Sequence, residues 1–167
     1  MNPSGRRGTT PSTDIRGKTL HALSLTDAST KSWTMPGLMD WVVLREKGGF
    51  LVAILRTVYS LTLNPFLLTP LFTIEADKTE NRLNDAKVDA KGRLWTGTMH
   101  MPFKKKDAAL YRIDTDLSVR QMDAPYICTN GPAFSHDGRH MYHNETGERI
   151  IYIFDLAADG SLSGKRI

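Results

Sequence analysis

A chain of 167 residues that is 40% hydrophobic has enough apolar material for a sizeable core, which excludes a compositionally disordered protein. Its 22 basic and 18 acidic residues leave a net charge of +4, but the excess sits in the short, scattered runs Arg6-Arg7, Lys104-Lys105-Lys106 and Lys165-Arg166, so no nucleic-acid face is expected. The longest apolar region, Phe50 to Ile74, is broken by Arg56, Asn64, Pro65 and Pro70 and falls short of the roughly 20 apolar residues of a spanning helix, so no membrane partner is expected either. Cys128 stands alone and forms no internal disulfide; with no apolar leader in the first 13 residues, the expected compartment is cytoplasmic.

Residues 1–13 are polar and read as a flexible lead-in, with ordered structure starting near Asp14 and carried forward by Leu20, Leu23 and Leu25. Strands are then expected at Lys31 to Pro36, at Trp41 to Leu44 and, after a Gly48-Gly49 turn, at Phe50 to Leu55. Across Val58–Leu63 and Leu67–Ile74 the alternation blurs, but β-branched and aromatic residues persist, and Pro65 and Pro70 oppose a helix. Ile74 to Arg82 reads as a charged loop. It leads into Arg82-Leu-Asn84-Asp85, a Gly92 turn and a second strand ending in Gly97-Thr98-Met99. His100 to Asp107 reads as an exposed loop, Leu110–Asp114 and Val119–Met122 as a hairpin, and Asn130 to Tyr142 as a second strand–turn–strand passage around Gly138. Arg149–Asp155 is a further strand, followed by an Ala158-Asp159-Gly160 turn.

Gly48, Gly92 and Gly138 each fall in a turn between two strands, 44 and 46 positions apart, and Asn84 and Asn130 are also 46 apart. An equal offset at two landmarks marks a repeat. A period near 45 with about four short strands per unit predicts an all-β propeller over residues 14–167, because helical repeats of that length need amphipathic windows that are missing here.

Arg82-x-Asn84-Asp85, Val88-Asp89-x-x-Gly92-Arg93-x-Trp95-x-Gly97-Thr98-Met99, Leu110-Tyr111-Arg112, Asn130-Gly131 with Ser135-x-Asp137-Gly138, and Ile153-Phe154-Asp155 resemble the regucalcin and gluconolactonase family of sugar-lactone hydrolases. The resemblance implies a six-bladed type of propeller with a divalent cation near its central channel, and a sugar lactone as substrate. By that match Asn130 falls on a metal ligand, Asn84 on a residue beside the metal that also holds substrate, and Arg82 on a substrate-binding arginine. Amide oxygens suit calcium first, with zinc, magnesium or manganese as alternatives, and an arginine beside them suits a polyhydroxylated substrate.

The same resemblance implies a Glu ligand ahead of Asp14 and an Asp base beyond the segment of Asn130. Residues 1–13 hold no Glu or Asp, and at about 45 residues per blade the chain makes three to four blades, so an incomplete propeller is expected. Asp85 and Glu80 are the nearby carboxylates that would have to stand in. Open sheet edges predict self-association. The alternative function is a non-catalytic truncated propeller that binds calcium weakly or serves as an interaction module. Ala86, Pro132-Ala133-Phe134 and His143-Asn144-Glu145-Thr146 depart from the family pattern. His136, His140 and His143 are expected on a solvated hairpin rather than on zinc, because the first two flank a Gly turn and the third has opposite strand parity to His140. Trp33, Trp41 and Trp95 are expected to pack between sheets.

Overall fold

The computed structural model describes residues 9–167, and among them every regular element is a β-strand. They fall into two compact units, one ending at Ala76 and the other starting at Asp77. The first unit holds a three-stranded sheet of β1 (Thr9–Asp14), β2 (Thr19–Ser24) and β3 (Thr30–Thr34), then a four-stranded sheet of β4 (Met39–Leu44), β5 (Phe50–Ile54), β6 (Thr57–Leu63) and β7 (Phe66–Thr73). The second unit holds β8 (Asn81–Val88), β9 (Leu94–His100), β10 (Ala108–Ile113) and β11 (Val119–Tyr126), then β12 (Thr129–Phe134), β13 (His140–Glu145), β14 (Ile150–Leu156) and β15 (Leu162–Arg166). Every sheet is an antiparallel meander in chain order, as the repeat predicts.

One expectation needs correcting. Residues 9–13, read as part of a flexible lead-in, belong to β1, which pairs along its whole length with β2 from Thr9↔Ser24 to Asp14↔Thr19. Its Thr-rich sequence carries no apolar alternation, so its pairing with β2 was invisible in the pattern. Residues 1–8 of that lead-in lie outside the described residues.

The three spaced glycines do what the repeat requires. Gly48, Gly92 and Gly138 have φ of 92°, 81° and 69° and close the turns between the first two strands of the three four-stranded sheets. In the Asp89–Arg93 turn the Gly92 N–H donates to the Asp89 carbonyl at 3.0 Å, and the Asp89 N–H donates to the Arg93 carbonyl at 2.9 Å. An L-residue with a side chain would be strained at these φ values. Asp89 also accepts from the Lys91 and Arg93 backbones and from the Arg93 and Trp95 side chains. Burial alone would raise its carboxyl, but these donors outweigh it and hold the group below the ordinary carboxylate range.

Each unit has its own core. Leu20, Met35, Met39, Val52, Ile54 and Leu61 fill the first, with Trp33 packed against them. Trp95, Leu110, Tyr126, Met141, Phe154 and Leu156 lie in the second, where the Trp95 and Phe134 rings meet edge to face at 6.0 Å. Each fully buried large apolar side chain contributes about 1.5–3 kcal/mol. Trp41 is buried as well, so the three tryptophans behave as packing residues. β9 is buried along all seven residues, Leu94 to His100. It lies between β8 and β10 and meets β12 where Gly97 faces Thr129; a Cβ on Gly97 would collide with the Thr129 side chain.

Candidate active site

The first strand of each sheet in the second unit slips register near its start. β8 slips between Leu83 and Ala86, so Asn84 and Asp85 together oppose Gly97, and β12 slips between Asn130 and Ala133. Such bulges bend a strand and re-aim its side chains. Here they bring the two asparagines of the repeat together. Asn84 Nδ2 donates to Asn130 Oδ1 at 2.9 Å and to the Thr129 carbonyl at 2.7 Å, and Asn130 Nδ2 donates to Thr146 Oγ1 at 2.7 Å.

Beneath the pair lies Cys128, with Sγ 3.8 Å from Asn84 Nδ2 and 3.5 Å from Asn130 Nδ2. Met99 pairs with Cys128 in an isolated bridge and sits opposite Arg82 in the β8–β9 register. Burial pushes the Cys128 thiol above its ordinary value, while the Arg82 charge pulls it the other way. Arg82, Asn84 and Asn130 therefore gather around one buried sulfur. Arg82 also turns Nη1 onto the Leu83 carbonyl at 2.8 Å.

Two carboxylates brace this geometry. Asp85 Oδ2 accepts from the Gly131 N–H at 2.8 Å and Oδ1 from the Ala86 N–H at 2.8 Å, tying the β8 bulge to the β12 bulge. Gly131 has φ of 52°, which favours glycine at that contact. Glu145 is fully buried and accepts from the backbone N–H groups of Ile127 at 2.7 Å, Cys128 at 3.2 Å and Gly147 at 2.8 Å. It fixes the chain that delivers Cys128, Thr129 and Asn130. Sequence reasoning missed Cys128 as a member of the site and Glu145 as its anchor. The signal was available in β13: Met141, His143 and Glu145 share one strand face, and a buried methionine commits the other two inward.

That parity also corrects the expectation of a solvated histidine hairpin. His136 is exposed and His140 half-buried, but His143 is fully buried, stacked edge to face on Tyr126 at 4.9 Å. Neither of its ring nitrogens has a hydrogen-bond partner among the described residues, and burial lowers its pKa to about 4. His100, expected in an exposed loop, is instead buried at the end of β9.

A hard cation needs oxygen donors, preferably charged ones. Asn130 Oδ1 is taken by Asn84, Asp85 is committed to two N–H groups, and Glu80 pairs with Lys105 at 2.5 Å. No group of three or more His, Cys, Asp or Glu side chains gathers among the described residues. The residues present bring two amides together, with Asn130 Oδ1 already bonded to Asn84, and do not fit the carboxylate part of a divalent-cation site. Among the described residues, no helix is long and apolar enough to cross a membrane.

The family model described as the SMP-30/gluconolactonase/LRE-like region matches residues 6–167. A 6-deoxy-6-sulfogluconolactonase of Pseudomonas putida is 33% identical over 147 residues, covering 88% of this chain and 50% of its own. Regucalcin of Danio rerio is 31% identical over 157 residues, covering 92% of this chain and 52% of its own. In structure, the chain superimposes on a calcium-binding regucalcin of Agrobacterium tumefaciens with a TM-score of 0.82 at 22% identity, covering 96% of this chain and 58% of that one. The chain spans about half the length of the curated relatives it matches.

Proposed function

Because the chain belongs to the SMP-30/gluconolactonase/LRE-like family, we propose that it serves the hydrolytic opening of sugar lactones, with Arg82 and Asn84 holding the substrate. Its antiparallel sheets are read as blades of a six-bladed type of propeller. The observation that carries this reading is the Asn84–Asn130 pair, closed at 2.9 Å across two bulges, with the Arg82 charge acting on the thiol beneath it. In the reaction water adds to the lactone carbonyl, the ring C–O bond breaks, and a carboxylic acid and a hydroxyl result. The part assigned to this chain is orientation: an arginine and an amide present directional donors to a ring dense in hydroxyls.

Asn84 and Asn130 are also the neutral ligands we assign to a divalent cation, calcium by hardness, with zinc, magnesium and manganese as alternatives. Bound there, the cation would act as a Lewis acid on the carbonyl oxygen.

The test is the opening of glucono-1,5-lactone followed by proton release, with each of the four cations and with a chelator. The expected result is turnover above the spontaneous rate, reduced by about tenfold or more in Asn84→Ala and Asn130→Ala, with a raised KM in Arg82→Ala. Turnover no faster than the spontaneous rate with all four cations overturns the enzyme reading for this chain. That the carboxylates near the amide pair, Asp85 and Glu145, are spent on backbone N–H groups favours a second reading, a non-catalytic propeller module with weak calcium affinity. Tight calcium binding by calorimetry, lost in Asn130→Ala, would count against that one.

A further inference from the structure

The segment after β9, from Met101 to Asp107, is exposed along most of its length yet tied down at several points. His100 Nδ1 accepts from the backbone N–H groups of Lys104 at 3.1 Å and Lys105 at 3.2 Å. A ring nitrogen that accepts carries no proton, so the neutral imidazole holds its proton on Nε2, 3.4 Å from Glu80 Oε2. Lys105 pairs with Glu80 at 2.5 Å, and Lys106 pairs with both oxygens of Glu148 at 2.8 Å.

The two anchoring glutamates say where the segment lies. Glu80 is two residues ahead of Arg82 at the entry to β8, and Glu148 is two residues past Thr146, which holds Asn130. The segment therefore spans from the element that carries Arg82 and Asn84 to the hairpin that fixes Asn130. Phe103 has φ of 61°, a left-handed backbone that costs a bulky residue free energy and persists only where its surroundings over-determine it. Of the three consecutive lysines, two are spent on anchoring. Lys104 is exposed and enters none of the salt bridges found among the described residues.

We propose that this segment is a strap at the rim of the site, and that Lys104 recognises an anionic group (sulfonate, phosphate or carboxylate) carried by the sugar lactone on the carbon farthest from its carbonyl. The assignment rests on the lactonase reading above. An ammonium is a compact point charge that suits such groups, and the ties through His100, Glu80 and Glu148 hold its backbone in place before substrate arrives. Arg82 and Asn84 read the hydroxylated ring, and Lys104 reads the far end.

The experiment compares the wild type with Lys104→Ala in two arms. In the first, calorimetry measures binding of the open-chain products gluconate, 6-phosphogluconate and 6-deoxy-6-sulfogluconate; in the second, the corresponding lactones are assayed for opening. The wild type should bind the two charged C6 products about 5- to 10-fold more tightly than gluconate, an advantage that shrinks as salt is raised. Lys104→Ala should erase it without changing gluconate binding, while Lys91→Ala, in the Asp89–Arg93 turn, should leave it intact. Which charged product binds more tightly tells sulfonate from phosphate. Equal affinity in the wild type for gluconate, charged at C1 alone, and for the two products charged also at C6, or an equal loss for all three in Lys104→Ala, overturns the proposal. If no lactone is opened but the charge preference is present and is lost in Lys104→Ala, the lactonase reading fails and the strap stands.

Discussion

His143 shows how one buried side chain can set the acid limit of a fold. Its imidazole lies against Tyr126, with no hydrogen-bond partner for either nitrogen among the described residues, and burial holds its pKa near 4 against an ordinary 6.5. A depressed folded-state pKa means that the unfolded chain binds the proton first. The stability tied to this group is complete above pH 6.5 and drains away as the pH falls toward 4. Over that window the loss is on the order of 3 kcal/mol. His143→Phe keeps a ring against Tyr126 and removes the titration, so its stability, measured by urea denaturation at pH 7, 5.5 and 4.5, should fall less steeply than that of the wild type. Equal slopes for the two proteins would show that His143 does not set the acid limit.

Among the elements, β9 is the one on which the site depends. Its Thr-Gly-Thr centre is small, and that lets Thr129 of β12 approach closely enough for its hydroxyl to donate to the Thr98 carbonyl at 2.7 Å. Gly97→Ala should push β12 away, part the Asn84–Asn130 bond and destabilise the protein by about 1–3 kcal/mol, which a thermal melt would read as a lowered Tm. Lactone opening should fall more than tenfold in the same variant. An unchanged Tm with unchanged turnover would mean that the close approach has slack. The strand order and the three turn glycines were legible in the sequence, because repeat offsets of 44 and 46 carry them, whereas Asn84 and Asn130 were brought to one site by the family resemblance and not by their spacing. The bulges were not legible, since a register slip leaves no mark in hydrophobic alternation. β1 was missed for a related reason: Thr-Thr-Pro-Ser-Thr-Asp pairs through its backbone, and backbone pairing has no composition. The burial of His143 and Glu145 was legible in principle from Met141, but the histidines drew the reading toward polarity rather than parity.

Taken whole, the chain carries two separately built cores and a set of apolar side chains that neither of them covers. Ile151 is 60% exposed on β14 and Tyr142 is 39% exposed on β13, its neighbour in the same sheet. Exposed apolar groups of this kind favour association. We expect a sedimentation coefficient that rises with concentration, and a weaker rise in Ile151→Lys. A single species across a hundredfold dilution series would rule out self-association through this face. In a chain that spans about half the length of its curated relatives, the same measurement also asks how much of the surface is built to stay bare.

Cys128 gives this molecule a reporter that no labelling design has to add. It is the single thiol of the chain, it is buried, and the amides of Asn84 and Asn130 rest on its sulfur. A thiol-specific dye needs the buried sulfur uncovered, and movement of those amides would uncover it, so the rate of modification should follow the openings of the pair. Whatever holds the asparagines shut, whether substrate, product or cation, should slow that clock in proportion to its occupancy.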